Sequence, residues 1–174
     1  MSQNSTPPSF SQRLRQGLKG HRGEYLVAIQ FALIFIFAFM PAWHPGIDGA
    51  VLASLRPWLL PLVIPAALVA VAFGALGSMH LGEYITPLPY PVDHNRLVRT
   101  GIYGIVRHPL YASQIFAAFA WTLYNLSLSH LAVLVLGFAF FNYKAGKEEN
   151  WLTERHPDYP DYARTVRKFI PWIY

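Results

Sequence analysis

From Trp58 to Met79 the chain carries no charged side chain, and a second uncharged run extends from Tyr25 to Met40. Runs of this kind approach or exceed the roughly 20 residues needed to cross a hydrocarbon layer. A backbone in lipid has no water to bond with, so such segments must satisfy their own polar groups, and here that predicts helices. Composition agrees. Charged residues make up 13% of the 174, about half the roughly 25% of a typical soluble domain. The absence of cysteine excludes a disulfide framework, a zinc-thiolate site, an iron-sulfur cluster and a cysteine nucleophile.

A further uncharged stretch opens at Pro109 and runs to His130, and Leu131 to Tyr143 follows almost at once. Only Asn125, Ser127 and Ser129 are left for a turn, so the third and fourth helices form a tight hairpin. The fourth is expected to continue to about Glu154, roughly 35 Å at 1.5 Å per residue, and so to emerge from a core of roughly 30 Å. The second is expected to begin at Trp58, with Pro61 and Pro65 in its first turns, where lost backbone bonds cost least. Between Leu81 and Arg107, Pro87, Pro89, Pro91, Asp93, His94, Asn95, Arg96 and Arg99 break the apolar pattern and predict a structured loop outside the hydrocarbon.

Basic residues are distributed unevenly: four precede the first apolar run, Arg56 stands alone before the second, Arg96, Arg99 and Arg107 occupy the loop, the hairpin turn has none, and six follow Tyr143. Under the positive-inside rule this predicts an all-α integral-membrane protein with four crossings, both termini and the long loop being cytoplasmic. The net charge of +5 thus points to a membrane surface, not to nucleic acid, and a plasma (inner) membrane is the simplest location. Residues 1–24, rich in Ser, Gln and Pro at their start, are expected to be a flexible cytoplasmic segment. Residues 25–174 are expected to form one domain. A signal peptide is disfavoured, because no small-x-small site follows the first apolar run.

Two cytoplasmic segments carry the chemistry. In the first, Arg107 and His108 precede Pro109, which suits the opening turn of a helix. Two cationic or donor side chains at the positive end of that helix make a carboxylate site, or else a membrane anchor and an interfacial histidine. In the second, Glu148 and Glu149 lie at the edge of the hydrocarbon, where carboxylates are usually paired, solvated or functional. Neighbours on a helix point about 100° apart, so one carboxylate faces a pocket and the other can brace the loop; Lys144 or Lys147 could pair with either. Gln114, one turn past Pro109, either lines a cofactor site or bonds to another helix. A zwitterion with hydroxyl groups, such as S-adenosylmethionine, would suit such a pair of segments. His44, His80, His94, His130 and His156 have no metal-like spacing, and no metal site is expected.

The run Gly101, Ile102, Tyr103 through Arg107, His108, Pro109, Leu110, Tyr111, followed by Glu148, Glu149, Leu152, Tyr159, Tyr162, Val166, Phe169 and Pro171, resembles the integral-membrane methyltransferases that include isoprenylcysteine carboxyl methyltransferase and the phospholipid N-methyltransferases. The resemblance covers roughly residues 95–172. It implies an S-adenosylmethionine pocket built on the helix 3/4 hairpin, with the C-terminal segment folded over it. Arg107, His108, Pro109 and Tyr111 would line that pocket, Glu149 with Glu148 would hold the cofactor's polar groups, and Tyr103 would lie nearby. Arg164 would act on the acceptor. Family members commonly have a basic residue where Gly104 stands and a glycine where Ser113 stands, which implies a differently shaped cofactor loop here.

Methyl transfer from a sulfonium to a carboxylate needs alignment and exclusion of water. An amine acceptor must also lose a proton, and Glu149, His108 or Tyr103 could take it. The expected activity is therefore methyl transfer to a lipophilic acceptor. Two other readings compete: a membrane reductase using NADPH, for which no Gly-rich fingerprint is present, and a non-enzymatic scaffold or transporter subunit, for which the helix cores are too apolar.

Overall fold

The computed structural model describes residues 23–86, 88 and 96–174. Among these residues it is all-helical. Helix α1 spans Glu24–Phe39, α2 Gly49–Leu81, α3 Pro109–Asn125, α4 Leu128–Arg155 and α5 Tyr159–Thr165, with 3-10 turns at Gly82–Tyr84 and Gly101–Gly104. The flexible segment expected over residues 1–24 lies outside the described residues as far as 22, and Glu24 already belongs to α1. Much of the loop expected between Leu81 and Arg107 also lies outside them, including Pro87, Pro89, Pro91, Asp93, His94 and Asn95.

The largest departure from expectation is α2, which begins at Gly49 and takes Arg56, Pro57, Pro61 and Pro65 into its interior. Its start is set by Asp48, whose side chain accepts from the amides of Ala50 and Val51 at 2.9 and 2.8 Å. That cap nucleates the helix ahead of the prolines. Spaced by four, the prolines lie on one side, and each removes one i to i−4 bond without ending the helix. The hairpin turn sits where expected, but α3 ends at Asn125 and α4 starts at Leu128. Leu126 adopts the left-handed conformation (φ 47°), and the Ser127 hydroxyl accepts from the His130 amide at 3.3 Å, capping α4.

Helices α2 and α4, of 33 and 28 residues, are long and apolar enough to cross a membrane, whereas α1 has 16 residues and α3 has 17. Large apolar side chains stay exposed along the outer faces, among them Phe31, Phe35, Leu62, Leu68, Val71, Val135 and Leu136. Exposed apolar surface on this scale needs a lipid or protein partner. The buried core lies toward one end of the bundle, where Phe73 of α2, Ile102, Tyr103 and Val106 of the loop, Ala112 of α3, Phe141 and Ala145 of α4 and Phe169 of the C-terminal segment meet.

Contacts between α2 and α3 are the most extensive in the fold. A Cβ on Gly77 would meet Pro109 at 3.2 Å and Leu110 at 3.1 Å, and one on Gly74 would meet the Ser113 hydroxyl at 2.9 Å. Ser113 donates to the Ala70 carbonyl at 2.7 Å. It therefore stitches α3 to α2 instead of shaping a cofactor loop. Gly104 lies on the exposed side of its 3-10 turn, with only the Arg99 carbonyl near its missing side chain.

Candidate functional site

Two short stretches of backbone hold the site together. The amides of Arg107 and His108 donate to the carbonyls of Arg167 and Lys168 at 2.8 and 3.1 Å, so the C-terminal segment runs parallel to the entry of α3. The Tyr162 hydroxyl donates to the Tyr103 carbonyl at 2.6 Å, fastening α5 to the same loop. Gly101 permits this loop. Its φ is +61°, and a Cβ there would collide with the His80 ring.

Arg107 points from this platform toward α4. Its Nε and Nη2 lie 3.0 and 2.9 Å from one oxygen of Glu149, while Nη1 donates to the carbonyls of Ala163 and Val166. His108 sits between the two carboxylates, Nε2 at 3.0 Å from Glu149 and Nδ1 at 3.3 Å from Glu148. Only an imidazolium donates from both nitrogens. Burial opposes the charged ring, but hydrogen bonds to Glu148 and Glu149 outweigh it and leave the His108 pKa above its ordinary value. Tyr111 stacks on the His108 ring, with centroids 5.6 Å apart, and donates its hydroxyl to Glu148. Lys168 approaches the other Glu149 oxygen at 3.5 Å.

The acidic pair is thus divided. Glu149 is consumed by Arg107, His108 and Lys168, whereas Glu148 lines a cavity of about 390 Å³ together with Tyr103, Arg107, His108, Pro109, Tyr111 and Gln114. Tyr84, Ile85, Thr86 and Leu88 form a further part of its wall. Tyr103 is buried beside it, its hydroxyl 3.4 Å from the Gly77 carbonyl. Burial first and the Glu148 charge second push its pKa up, so the phenol keeps its proton. The C-terminal segment does not line the cavity; it buttresses Arg107 from behind. Arg164, expected to act on the acceptor, lies outside the cavity, exposed and paired with Asp161 at 2.9 Å.

Gln114 makes the expected bond to another helix and also faces the cavity. It lines the cavity, and its side-chain oxygen accepts from Gln30 of α1 at 3.0 Å. Gln30 in turn accepts from Lys144 at 2.6 Å. Sequence reasoning left Lys144 as a possible partner of the carboxylates and did not see this chain of bonds. The available signal was Gln30 itself, an amide in an otherwise apolar run. Gln114 also borders a second cavity of about 360 Å³, walled by apolar residues of α1, α3 and α4 such as Leu33, Phe37, Ile115, Leu134 and Phe138. Among the described residues no three His, Asp or Glu side chains come together to hold a metal ion.

A sequence model of the phospholipid methyltransferase family matches residues 59–158, more than half of the chain. Two relatives carry names from metal tolerance. The chain is 29% identical to a cobalt-zinc-cadmium resistance protein, CzcN, of Cupriavidus metallidurans over 96% of its own length and 71% of that protein's. It is 27% identical to a nickel-cobalt-cadmium resistance protein, NccN, of Alcaligenes xylosoxydans xylosoxydans over 66% of its own length and 52% of the relative's. The match thus spans only about half of the second relative.

Proposed function

The chain belongs to the phospholipid methyltransferase family, and we propose that it transfers a methyl group from S-adenosylmethionine to a lipophilic acceptor at the membrane surface. The observation that carries this reading is that Arg107 and His108, from one motif, and Glu148, from the other, line one cavity. Its volume of about 390 Å³ falls within the roughly 300–1,000 Å³ of small-molecule sites. The donor set suits the cofactor. The positive end of α3 with the charges of Arg107 and His108 fits a carboxylate, Glu148 fits an ammonium, sulfonium or ribose hydroxyl, and the rings of Tyr84 and Tyr103 offer faces to a base or a cation.

The cofactor would supply an activated methyl group. The chain's own work is positioning. Glu149 and the C-terminal segment hold Arg107 and His108 in place, Tyr103 presents a proton donor, and Leu81, Ile85, Leu88 and Leu110 exclude water from one side. The acceptor's apolar part would occupy the second cavity, which meets the first at Gln114.

In this reading α1 to α4 each cross the bilayer, and the end holding Arg107 and Glu148 faces the cytoplasm of an inner membrane, as the distribution of basic residues favours. At about 50 Å for its 33 residues, α2 would tilt or overshoot the hydrocarbon. Calorimetric titration of S-adenosylmethionine into the detergent-solubilised protein tests the assignment. We expect binding that is lost in Glu148→Ala and His108→Ala; affinity unchanged in both variants would remove the proposed site.

A further inference from the structure

Lys144 lies outside both sequence motifs, yet it sits where the two cavities approach one another. It is 1% exposed. It lines the polar cavity and donates to Gln30, which donates to Gln114, the residue that borders both cavities. Gln114 passes the same polarity on, donating to the Leu110 carbonyl at 3.1 Å. The amide orientations along this chain follow from one fact: Lys144 is a donor and cannot accept. Its Nζ also lies 5.1 Å from the centre of the Tyr111 ring, a contact that favours a cation, and Glu148 is one helical turn away.

We propose that Lys144 selects the acceptor by charge: it favours a lipophilic molecule that presents an anionic oxygen, such as a carboxylate, over one that presents an ammonium. The inference deepens the methyl-transfer reading above and rests on it. Around the polar cavity and just behind it the described side chains set Arg107, protonated His108, Lys144 and Lys168 against Glu148 and Glu149. The surplus is positive before a cationic methyl donor enters. A second cation there is repelled, and an anion is attracted, in a region that apolar walls make poorly screened.

Proton accounting points the same way. A carboxylate oxygen forms its bond to the methyl carbon as the carbon-sulfur bond breaks and its electron pair passes to sulfur, and no proton moves. An ammonium must first surrender a proton. Of the groups able to take it, His108 is already protonated, Tyr103 retains its phenol, Glu149 is committed to Arg107, and Glu148 already accepts from Tyr111 and faces the His108 ring.

The test uses the full chain in nanodiscs without cofactor and two single-chain probes, dodecanoate and dodecylammonium, with affinities read from displacement of a fluorescent fatty acid. The wild-type protein is expected to bind dodecanoate at least ten-fold more tightly than dodecylammonium. Lys144→Gln should reduce that preference several-fold, and Lys144→Arg, which keeps the charge, should restore most of it. Equal binding of the two probes by wild type, or a preference for the ammonium, overturns the proposal, and so does an unchanged ratio in Lys144→Gln. If Lys144→Gln does not fold, Lys144→Met, which keeps the apolar stem and removes the charge, takes its place, with the same outcomes expected. S-adenosylmethionine binding is measured separately on the same sample. Its absence would refute the methyl-transfer reading, whereas a failed charge preference with the cofactor bound would refute only the role of Lys144.

Discussion

Arg107 and Glu149, 42 positions apart in the chain, meet with two guanidinium nitrogens within 3.0 Å of one carboxylate oxygen. Both side chains are largely buried, at 10% and 18% exposure. This contact joins the entry of α3 to the end of α4, and through the Arg107 bonds to Ala163 and Val166 it holds the C-terminal segment too.

Removing one partner of such a pair strands the other charge. Arg107→Ala is expected to destabilise the protein by about 3–5 kcal/mol, with Glu149→Ala acting in the same direction. The double variant should lose less than the sum of the two, because neither charge is then left alone. Thermal unfolding in detergent, followed by circular dichroism, measures all three, and additive losses would show that the pair is not coupled.

The two neighbouring glutamates should separate when each is replaced by glutamine. Glu149→Gln weakens the platform and lowers the unfolding temperature. Glu148→Gln, whose amide oxygen still accepts from Tyr111 but no longer sets a charge against His108, should lower the unfolding temperature less than Glu149→Gln does but weaken S-adenosylmethionine at least ten-fold, roughly the effect of losing one charged contact. Paired melting curves and titrations distinguish the outcomes.

His108 makes stability depend on pH. Its pKa in the folded state stands above the ordinary value near 6.5, so folding takes up protons between the two values. The stabilisation is fully present below about pH 6.5 and is lost as the pH rises through the higher folded value. Melting temperatures from about pH 5 to about pH 9 should fall on the alkaline side, and His108→Gln should flatten that part of the curve.

Gly101→Ala should be costly although it adds a single methyl group. The position requires a left-handed backbone and has the His80 ring where the methyl would go, so a loss of more than about 1 kcal/mol is expected. Trimming the ring in Gly101→Ala/His80→Ala relieves the collision but not the backbone strain, and partial recovery in a melt would separate the two terms.

Arg164→Ala should melt with the parent and bind the cofactor equally well, since the side chain is exposed and pairs with Asp161 at the surface. Turnover with a membrane acceptor then reports directly on whether Arg164 meets that acceptor.

Hydropathy was enough to predict the four longer helices, though not α5, because each must bury or wet its own side chains and satisfy its own backbone, which are local conditions. The hairpin turn was legible for the same reason: Asn125, Ser127 and Ser129 interrupt the only apolar stretch too long to be one helix. The start of α2 was not, since the uncharged run that suggested Trp58 stops short of Arg56 and Pro57, whereas the Asp48 cap starts the helix nine residues earlier, at Gly49. In the site, the residue types and their two motifs could be read directly, and so could the rule that adjacent glutamates diverge by about 100°. Which of them faces the cavity depends on the rotation of α4 about its axis, and that is set by packing against α1, α3 and the C-terminal segment. The joining of Lys144, Gln30 and Gln114 is likewise a property of three helices at once. Sequence alone determined which segments are helical and which groups could do chemistry, because those follow from neighbours in the chain; tertiary structure decided which groups meet, because that follows from how helices turn and press on one another.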